Sequence, residues 1–309
     1  MDKIILSIII VSYKNLEVLR NCLDSIYLYN DIGECLEIIV VDNSPEDNIY
    51  HYIKNNYSDV IILRMDNKGF GAANNVGARI AKGEYLLFLN PDTILIEPIF
   101  KFAINQFEKD DKLSMFGVKL LNENKKSNLS FGFVDKMSIK SMILIRILNK
   151  LNIYIDGEMF ISGADMFVRK RDFINIGMFD ENIFMYKEEA DLSKRLKANG
   201  GKTRYFKSKS LIHLEGKTTN DSEAATLRKV ESLKYFCEKY NLNFQKRFQQ
   251  NLRYQYFKYF FYWLSGNNEA EKTKKSILLL KDLKVKLLSE KKWYKIRYKY
   301  KFDIFICFS

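Results

Sequence analysis

Proline and glycine are scarce in this 309-residue chain, which contains 3 and 14 of them respectively. Collagen-like and low-complexity chains are rich in these residues, so the composition excludes both classes. The four cysteines are few and never stand at Cys-X-X-Cys spacing. This favours the reduced, mostly buried thiols of a cytosolic protein over a zinc site or a disulfide framework. Because 47% of the residues are hydrophobic, the chain can bury a full core as one large or two modest domains.

Long hydrophobic runs are missing as well. No stretch approaches the roughly 18 consecutive apolar residues that a membrane-spanning helix needs. The apolar run at residues 4–11 is short, and polar residues follow it instead of a small-residue cleavage site. We interpret this run as a buried strand and not as a signal peptide.

Acidic residues become rare toward the C-terminus. Residues 1–224 contain 30 Lys and Arg against 31 Asp and Glu, a net charge of −1, whereas residues 225–309 contain 20 against 7, a net charge of +13. The whole positive excess therefore lies in the last quarter. We predict a near-neutral body at 1–224, with halves at about 1–95 and 96–224, and a basic, aromatic helical C-terminal extension at 225–309.

Strand and helix patterns alternate through the first third of the chain. Apolar, often β-branched runs predict strands at 4–11, 37–41, 60–63 and 85–89. Apolar residues at helical spacing, or a glycine turn, predict helices at 16–29, 48–56 and 71–81. Such alternation predicts an α/β fold, with a Rossmann-like, mostly parallel sheet flanked by helices.

Polar residues follow three of these predicted strands. Ser12 and Tyr13 follow the first strand, Asp42 follows the second, and Asn90 and Asp92 follow the fourth. Each cluster alone could be a turn or a helix cap. Parallel strands end at one edge of the sheet, where open α/β sheets bind ligands, so three clusters there favour a nucleotide pocket.

The acidic groups suit the transfer of a sugar from a nucleoside diphosphate. A carboxylate-bound divalent cation stabilises the leaving diphosphate, and a second carboxylate takes the proton of the acceptor hydroxyl. Asp92 stands at a strand end, while Glu188 and Glu189 open a later predicted helix. Acidic residues also favour the first turn of any helix, which is the simpler interpretation of that second cluster.

Seven segments of the chain carry a family resemblance. They are residues 8–13, 40–44, 67–77, 83–92, 163–166, 177–181 and 184–192. In this order they closely resemble family-two glycosyltransferases of the GT-A fold, in the rhamnosyltransferase-like subgroup of bacterial surface polysaccharide assembly. The resemblance covers about residues 4–220.

The resemblance implies a donor site with a metal ion. The donor contacts that it implies are Ser12, Tyr13, Asp42, Asn67, Gly69, Asn74 and Asn90. Asp92, at the position of the family's DxD motif, would hold Mg²⁺ or Mn²⁺. Because Asn90 replaces the first acidic residue of that motif, a second ligand is needed, and His213 in the His213–Leu214–Glu215–Gly216 segment would supply it.

The resemblance also implies which residues act on the acceptor and which substrates the protein uses. Glu189 aligns with the family's aspartate base and is one methylene longer, so backbone or substrate position must make up the difference. Glu188 and Asp191 complete the catalytic cluster, with Asp191 expected to cap or orient. The implied reaction is a single displacement with inversion. dTDP-rhamnose is the favoured donor, a UDP-sugar is possible, and the acceptor is a saccharide or is lipid-linked.

Two regions remain for interpretation. Residues 131–160 predict a helix-containing insertion, which we expect to be core in preference to an apolar wall for the acceptor. Its apolar side chains include Met137, Met142, Ile143, Leu144, Ile145, Ile147 and Leu148. The aromatic and basic stretch 253–263 predicts contact with an anionic membrane surface and not with nucleic acid. A solvated helical cap on the body is the alternative. The expected location is cytoplasmic, peripheral on the inner face of the bacterial cell membrane.

Two other functions compete with sugar transfer. Gly69 and Gly71 follow a predicted strand and open a helix, as in a dinucleotide-binding fingerprint, with Asp92 roughly 20 residues on. However, Asn74 replaces the third glycine, and the motif follows the third strand instead of the first. The substitutions Asn90 and Glu189 also permit a non-catalytic scaffold or inactive paralogue in a polysaccharide complex.

Overall fold

A computed structural model describes residues 3–214 and 223–289 of the chain, and the side chains as far as residue 285. Ten strands lie in this part of the chain. They are β1 Leu6–Ser12, β2 Leu36–Asp42, β3 Val60–Arg64, β4 Tyr85–Leu89, β5 Thr93–Leu95, β6 Leu113–Leu121, β7 Phe131–Phe133, β8 Met159–Ile161, β9 Asp165–Arg169 and β10 Lys202–His213.

Ten α-helices accompany these strands in the described ranges, together with a short 3₁₀ turn at Gly33–Cys35. They are α1 Leu16–Leu28, α2 Asn48–Asn56, α3 Phe70–Ile80, α4 Phe100–Lys109, α5 Ile139–Leu151, α6 Lys170–Asn175, α7 Glu188–Ala198, α8 Glu223–Lys239, α9 Phe244–Leu264 and α10 Glu269–Ser289. None of these helices is both long enough and apolar enough to cross a membrane.

Eight strands form one sheet in the order β3-β2-β1-β4-β9-β6-β10-β5, while β7 and β8 form a separate hairpin. Strands β3, β2, β1 and β4 run parallel, as do β6 and β10, and β9 is antiparallel to both of its neighbours. The predicted mostly parallel sheet flanked by helices is therefore confirmed. The four predicted strands and three predicted helices are all present, with ends that differ by at most two residues.

Both faces of the sheet are covered. Successive side chains of a strand point to opposite faces, so Ile8 and Ile10 of β1 pack with α1, while Ile9 between them packs with α3 and α7. These three isoleucines are fully buried. This explains why the strands read as continuous apolar runs and not as an alternating pattern.

The expectation that the apolar side chains of 131–160 form core is wrong for most of α5. Ile145 is buried, but Ile143, Leu144 and Ile147 are between 42% and 48% exposed. Besides the packing of Ile145 and Leu148 against the β7–β8 hairpin, a polar side chain attaches the helix. Asn149 is buried, its Oδ1 accepts from the backbone N–H groups of Ser130 and Phe131, and its Nδ2 donates to the carbonyls of Phe131 and Ile145.

The three C-terminal helices pack as a small bundle with its own apolar core. This core includes Val230 of α8, Phe248 and Leu252 of α9, and Ile277 and Leu280 of α10. The opposite side of α8 packs on the body, because Phe236 joins Val134 and Ala190 in a separate buried cluster. The domain boundary at 224/225 stays a prediction; it falls within the first turn of α8, and this helix contacts both parts.

Replacing Asn149 with alanine should destabilise the fold, because it leaves the buried N–H of Ser130 without its acceptor. Each buried polar group left unpaired costs about 1–3 kcal/mol, so we expect Asn149→Ala to lower the free energy of unfolding by at least about 2 kcal/mol. Urea denaturation measures this change in the free energy of unfolding. Lys150→Ala, at the neighbouring exposed position, is the control. An Asn149 variant as stable as this control would contradict the assignment.

Candidate functional site

A polar pocket lies at the carboxyl ends of β1 and β2. The two strands pair in parallel with Ser12 opposite Asp42, so both side chains reach the same edge. Ser12 Oγ, Asp42 Oδ2 and Asn43 Oδ1 are buried and have no hydrogen-bond partner among the described residues. Buried polar atoms are almost always paired in folded proteins, so three at one edge indicate a site for a polar ligand.

The two oxygens of Asp42 differ in their surroundings. Oδ1 accepts from the N–H of Ser44 at 3.0 Å, whereas Oδ2 is unpaired. Burial raises the pKa of this carboxyl above its usual value. Tyr13, one residue past β1, is 38% exposed and presents its ring at the surface beside Lys14. A flat ligand could therefore contact an aromatic face and hydrogen-bond to Asp42.

The glycine turn between β3 and α3 is tied to the segment that precedes α7. Gly69 has a φ of +106°, and a Cβ at this position would lie 2.2 Å from the carbonyl oxygen of Phe184. Only glycine fits there. Asn67 Oδ1 accepts from the N–H of Gly69 at 3.2 Å, and the N–H of Phe70 donates to Phe184 O at 2.9 Å. These bonds hold the turn against the chain that leads to the acidic cluster.

Two adjacent asparagines of α3 face different partners. Asn74 donates to the carbonyl of Phe70 one turn earlier, within its own helix. Asn75 instead joins α3 to the loop before α7, because its amide exchanges two hydrogen bonds with the backbone of Phe179 and donates to Glu181. The structure therefore shows that Asn75 holds α3 against this loop. The sequence predicted no such contact for Asn74 or for Asn75.

Asp92 and His213 are brought together by the antiparallel pairing of β5 with β10. His213 lies opposite Thr93 in this pair, and the N–H of Leu214 donates to Asp92 O at 2.9 Å. His213 Nε2 lies 3.3 Å from Asp92 Oδ1, although no hydrogen bond joins the two atoms. Asp92 is buried and His213 is 12% exposed, and His213 Nδ1 has no hydrogen-bond partner among the described residues.

This pair fits a divalent cation as a partial ligand set. The unpaired Asp92 Oδ1 and an imidazole nitrogen are donors that Mn²⁺ and Mg²⁺ accept, the imidazole suiting the softer ion better. Within residues 3–214 and 223–289, no three His, Cys, Asp or Glu side chains cluster closely enough to hold a metal alone. The remaining ligands would have to come from a bound phosphate group. Glu215 and Gly216 of the predicted histidine motif lie outside the described residues.

The segment Gly163–Ala164 connects this pair to the acidic cluster. The N–H of Asn90, which follows β4, donates to the carbonyl of Ala164 at 3.1 Å. The backbone N–H of Gly163 lies against the carboxylate of Glu189 and lowers the pKa of this carboxyl, against the larger effect of burial. A Cβ at Gly163 would lie 3.0 Å from Glu189 Oε1, so glycine allows this close approach. One short loop before β9 therefore touches both ends of the candidate site.

Glu188 and Glu189 occupy the first turn of α7 but differ in accessibility. Glu188 is buried, and its Oε2 has no hydrogen-bond partner in the described chain, whereas Glu189 is partly exposed. Burial raises the pKa of both carboxyls, and for Glu188 the charge of Glu189 adds to this effect. Of the two, Glu189 is the carboxylate that a substrate can reach.

Asp191 is held entirely by basic and phenolic groups. Its Oδ1 accepts from Tyr240 Oη at 2.7 Å and lies 2.6 Å from Lys239 Nζ, while its Oδ2 accepts from Arg195 Nε at 2.8 Å. It is fully buried. The geometry agrees with an orienting role for Asp191 and leaves its oxygens no room to react.

Helix α8 supplies contacts that the sequence did not indicate. Lys239 Nζ lies 2.6 Å from both Asp191 and Asp180, and Tyr235 Oη donates to Asp180 at 2.9 Å. Ser232 also donates to the carbonyl of Met185. In the sequence these residues belong to a Lys- and Tyr-rich region with no motif, so only their position in the fold identifies them. Asn43 was also not among the predicted site residues, although its Oδ1 is one of the unpaired atoms beside Asp42.

Removing the ammonium of Lys239 should weaken the fold in a pH-dependent way. Burial would raise the pKa of Asp180, but hydrogen bonds from Lys239, Asn182 and Tyr235 outweigh it and lower this pKa to about 2. A lowered pKa adds stability above the unfolded value of about 3.9, and this stability is lost as pH falls toward 2. We expect Lys239→Met to cost about 1–3 kcal/mol at pH 7.

Denaturation between pH 7 and pH 3 measures this effect. The stability difference between wild type and Lys239→Met should narrow below about pH 4. Lys274→Met is the control, since Lys274 is half-exposed and lies 3.5 Å from Glu271, and such surface pairs contribute little. A stability difference that stays constant across this range would show that Lys239 acts by packing alone.

Comparison with known proteins gives glycosyltransferases as relatives. Rhamnosyltransferase WbbL of Escherichia coli (strain K12) is 28% identical over 222 residues, which is 67% of this chain and 82% of that protein. The uncharacterized glycosyltransferase YfnE of Bacillus subtilis (strain 168) is 25% identical over 286 residues, which is 76% of this chain and 70% of that protein.

Solved structures share the fold at lower identity. Mannosyltransferase PcManGT from Pyrobaculum calidifontis, in complex with GDP-Man and Mn²⁺, has a TM-score of 0.57 at 12% identity and covers 92% of this chain and 75% of its own. GalNAc-T7 with UDP, GalNAc and Mn²⁺ has a TM-score of 0.55 at 16% identity, covering 75% of this chain. The present chain spans about half of that protein, 48%.

The match to a family model covers the part of the chain that builds most of this site. The model of glycosyl transferase family 2 matches residues 7–173, which include β1 to β4, the glycine turn, Asp92 and Gly163. This match, more than half the chain, agrees with the relatives and with the fold. The chain belongs to glycosyl transferase family 2 and is a nucleotide-sugar glycosyltransferase of the GT-A fold.

Proposed function

We propose that the chain transfers a sugar with inversion from a nucleoside diphosphate to a saccharide acceptor, with Glu189 as the base. One observation supports this most directly. The loop Gly163–Ala164 bonds to Asn90 beside Asp92 and lies against the carboxylate of Glu189. A donor diphosphate at Asp92 and an acceptor hydroxyl at Glu189 would then lie on two sides of the same loop.

The donor would bind along the carboxyl ends of β1, β2 and β4. The unpaired atoms of Ser12 and Asp42 are available to hydrogen-bond the nucleoside, and Tyr13 is placed to contact its base. Asn67 and Gly69 shape the turn next to the site, and Asn74 and Asn90 remain donor contacts by resemblance only. Asp92 and His213 would hold Mg²⁺ or Mn²⁺, which supplies positive charge that stabilises the leaving diphosphate.

In the transfer step, Glu189 accepts the proton of the acceptor hydroxyl. The acceptor oxygen forms a bond to the anomeric carbon while the bond from that carbon to the phosphate oxygen breaks. The nucleoside diphosphate leaves, and the configuration at the anomeric carbon is inverted. The N–H of Gly163 fixes the carboxylate of Glu189 for this step, and such orientation lowers the barrier by holding the reacting groups in place.

Glu188 serves this step as a neutral neighbour. Its buried carboxyl has no described partner for Oε2, and burial strongly raises its pKa. A protonated Glu188 would leave Glu189 as the charged carboxylate of this pair, while Asp191 in the same turn is paired with Arg195 and Lys239. Two charged carboxylates at this distance would repel each other and raise both pKa values further.

The substrates proposed come from similarity and composition. dTDP-rhamnose is the favoured donor because a rhamnosyltransferase is among the relatives, with a UDP-sugar as the other candidate. The acceptor would be a lipid-linked or polymer saccharide in surface polysaccharide synthesis. We place the protein in the cytoplasm, peripheral on the inner face of the membrane, with its basic C-terminal region toward anionic lipid.

A non-catalytic scaffold in a polysaccharide complex is the second candidate. Asn90 and Glu189 depart from the family pattern, and such departures accompany lost activity in some proteins. One observation favours the enzyme over the scaffold. The buried polar atoms of Ser12, Asp42 and Asp92 stay unpaired, which a protein with no ligand would have little reason to keep.

Replacing Glu189 by glutamine should abolish most transfer while leaving the donor bound. General-base help contributes about 10²–10⁴-fold, so kcat should fall by that factor. In the wild type, kcat/KM should rise with pH. The midpoint of this rise should lie above the usual pKa range of glutamate, because burial raises the pKa of Glu189. The Glu189→Gln variant should lack this rise in kcat/KM.

Nucleoside diphosphate release from a panel of donors with Mn²⁺ measures this prediction. Glu123→Gln, at an exposed loop position, is the control. Unchanged polymer assembly in cells carrying Glu189→Gln would instead favour the scaffold.

Asp92→Asn should weaken the binding of a nucleoside diphosphate with Mn²⁺. A ligand that binds the folded state alone raises the melting temperature, so dTDP or UDP with Mn²⁺ should stabilise the wild type by several degrees and the variant far less. Asp111→Asn, at a position 82% exposed, is the control. Stabilisation by NAD alone would contradict this proposal and support the dinucleotide-binding alternative.

A further inference from the structure

Helix α5 turns its aliphatic side toward solvent. Its four exposed aliphatic residues, each between 42% and 59% exposed, are Ile143, Leu144, Ile147 and Leu151. At about 100° per residue they fall within an arc of about 100°. The buried side carries Ser141 and Asn149 beside Ile145. This inverts the usual arrangement of a surface helix, in which the apolar stripe faces the core.

The aliphatic stripe continues past the end of α5. Ile153 and Ile155 are each 45% exposed in the connection to β8. Scattered exposed apolar residues are normal in folded proteins, but a contiguous stripe of six marks an interaction surface. We call these six residues the α5 stripe.

The exposed end of α9 adjoins this stripe. Arg146 of α5 donates to Tyr254 Oη of α9 at 3.3 Å. Phe261, two turns after Tyr254, lies on the same face of α9 and is 51% exposed. The other exposed aromatic and apolar residues of this end are Tyr256, Phe260, Trp263 and Leu264. Aromatic side chains with polar edges are suited to the interface between lipid headgroups and water.

The charges of the two helices have one sign. Within their described ranges, α5 and α9 contain no Asp or Glu. Their basic residues are Lys140, Arg146, Lys150, Lys246, Arg247, Arg253 and Lys258. In α5, Arg146 and Lys150 border the stripe on one side. Asp156, next to Ile155, is paired with Lys197. An apolar face whose two helices carry only cations is complementary to an anionic bilayer and would repel most basic partners.

We propose that the α5 stripe and the exposed end of α9 together form one docking face for an anionic phospholipid bilayer. The stripe would enter the boundary between headgroups and acyl chains, while the basic residues contact lipid phosphates. The face thus includes a helix of the catalytic body and is not confined to the C-terminal region. It rests on the proposed membrane-linked function, but its test requires no sugar transfer.

The test is the partition of the full-length protein between water and lipid vesicles. The wild type should sediment with vesicles of phosphatidylcholine mixed with phosphatidylglycerol, and much less with phosphatidylcholine alone. Ile147→Gln/Leu151→Gln should weaken this partition on the order of tenfold or more, because both positions would lose the apolar contact that favours the bilayer. Ile80→Gln/Leu28→Gln replaces exposed residues of α3 and α1 and should bind as the wild type.

Charge can be tested separately from the apolar stripe. Arg146→Gln/Lys150→Gln should weaken binding to anionic vesicles and reduce its dependence on salt. Wild type that fails to bind anionic vesicles, or an Ile147→Gln/Leu151→Gln variant that binds as the wild type, would overturn the proposal. A wild-type dimer in light scattering that becomes monomeric in this variant would also overturn it, because a second copy would then cover the stripe.

A donor-binding control separates this proposal from the function. Each vesicle-binding variant should keep the stabilisation by dTDP or UDP with Mn²⁺. Loss of vesicle binding with that stabilisation intact supports the docking face. Vesicle binding that survives while no nucleotide stabilises the wild type would leave the docking face in place and contradict the proposed donor site.

Discussion

The antiparallel pairing of β4 with β9 is the constraint on which the rest of the site depends. It sets Leu89 opposite Asp165, so the turn after β4 and the loop before β9 meet at one edge. The hydrogen bond from Asn90 to Ala164 closes this pair, and Gly163 then reaches the carboxylate of Glu189. A parallel strand at this position would carry its preceding loop to the far edge of the sheet. The reversed direction of β9 therefore brings the proposed donor end next to the proposed base, Glu189.

The polypeptide around this junction is held by side chains from distant parts of the sequence. Asn75 bonds to Phe179 across 104 positions, and His213 meets Asp92 because a three-residue strand, β5, pairs with the end of β10. The first turn of α7 is secured from its outer side, where Lys239 lies between Asp180 and Asp191. Three parts of the fold, the sheet edge, α3 and α8, therefore hold the side chains of the site in place.

Sequence patterns predicted what depends on local periodicity and missed what depends on long-range pairing. The runs that became β1 to β4 are apolar because both sheet faces are covered, so their position could be predicted within two residues. The α5 stripe has the same apolar composition as a core helix, and no local signal says that Asn149 is the buried residue. Likewise, nothing in the spacing of Lys239 distinguishes it from the other lysines near the C-terminus. Ser12, Asp42 and Glu189 could be proposed from the sequence because motif resemblance carries long-range information.

Helix α8 connects the two parts that the charge distribution separates. Phe236 packs with Ala190 of α7, whereas Val230, about two turns earlier, packs with α9 and α10. Both contacts are buried, so α9 has little freedom to turn relative to α7. Since α9 also contacts α5 through Arg146, the exposed end of α9 is fixed relative to the body at two points. A bilayer bound at that face would therefore orient the whole site, and a lipid-linked acceptor would meet Glu189 from a defined direction.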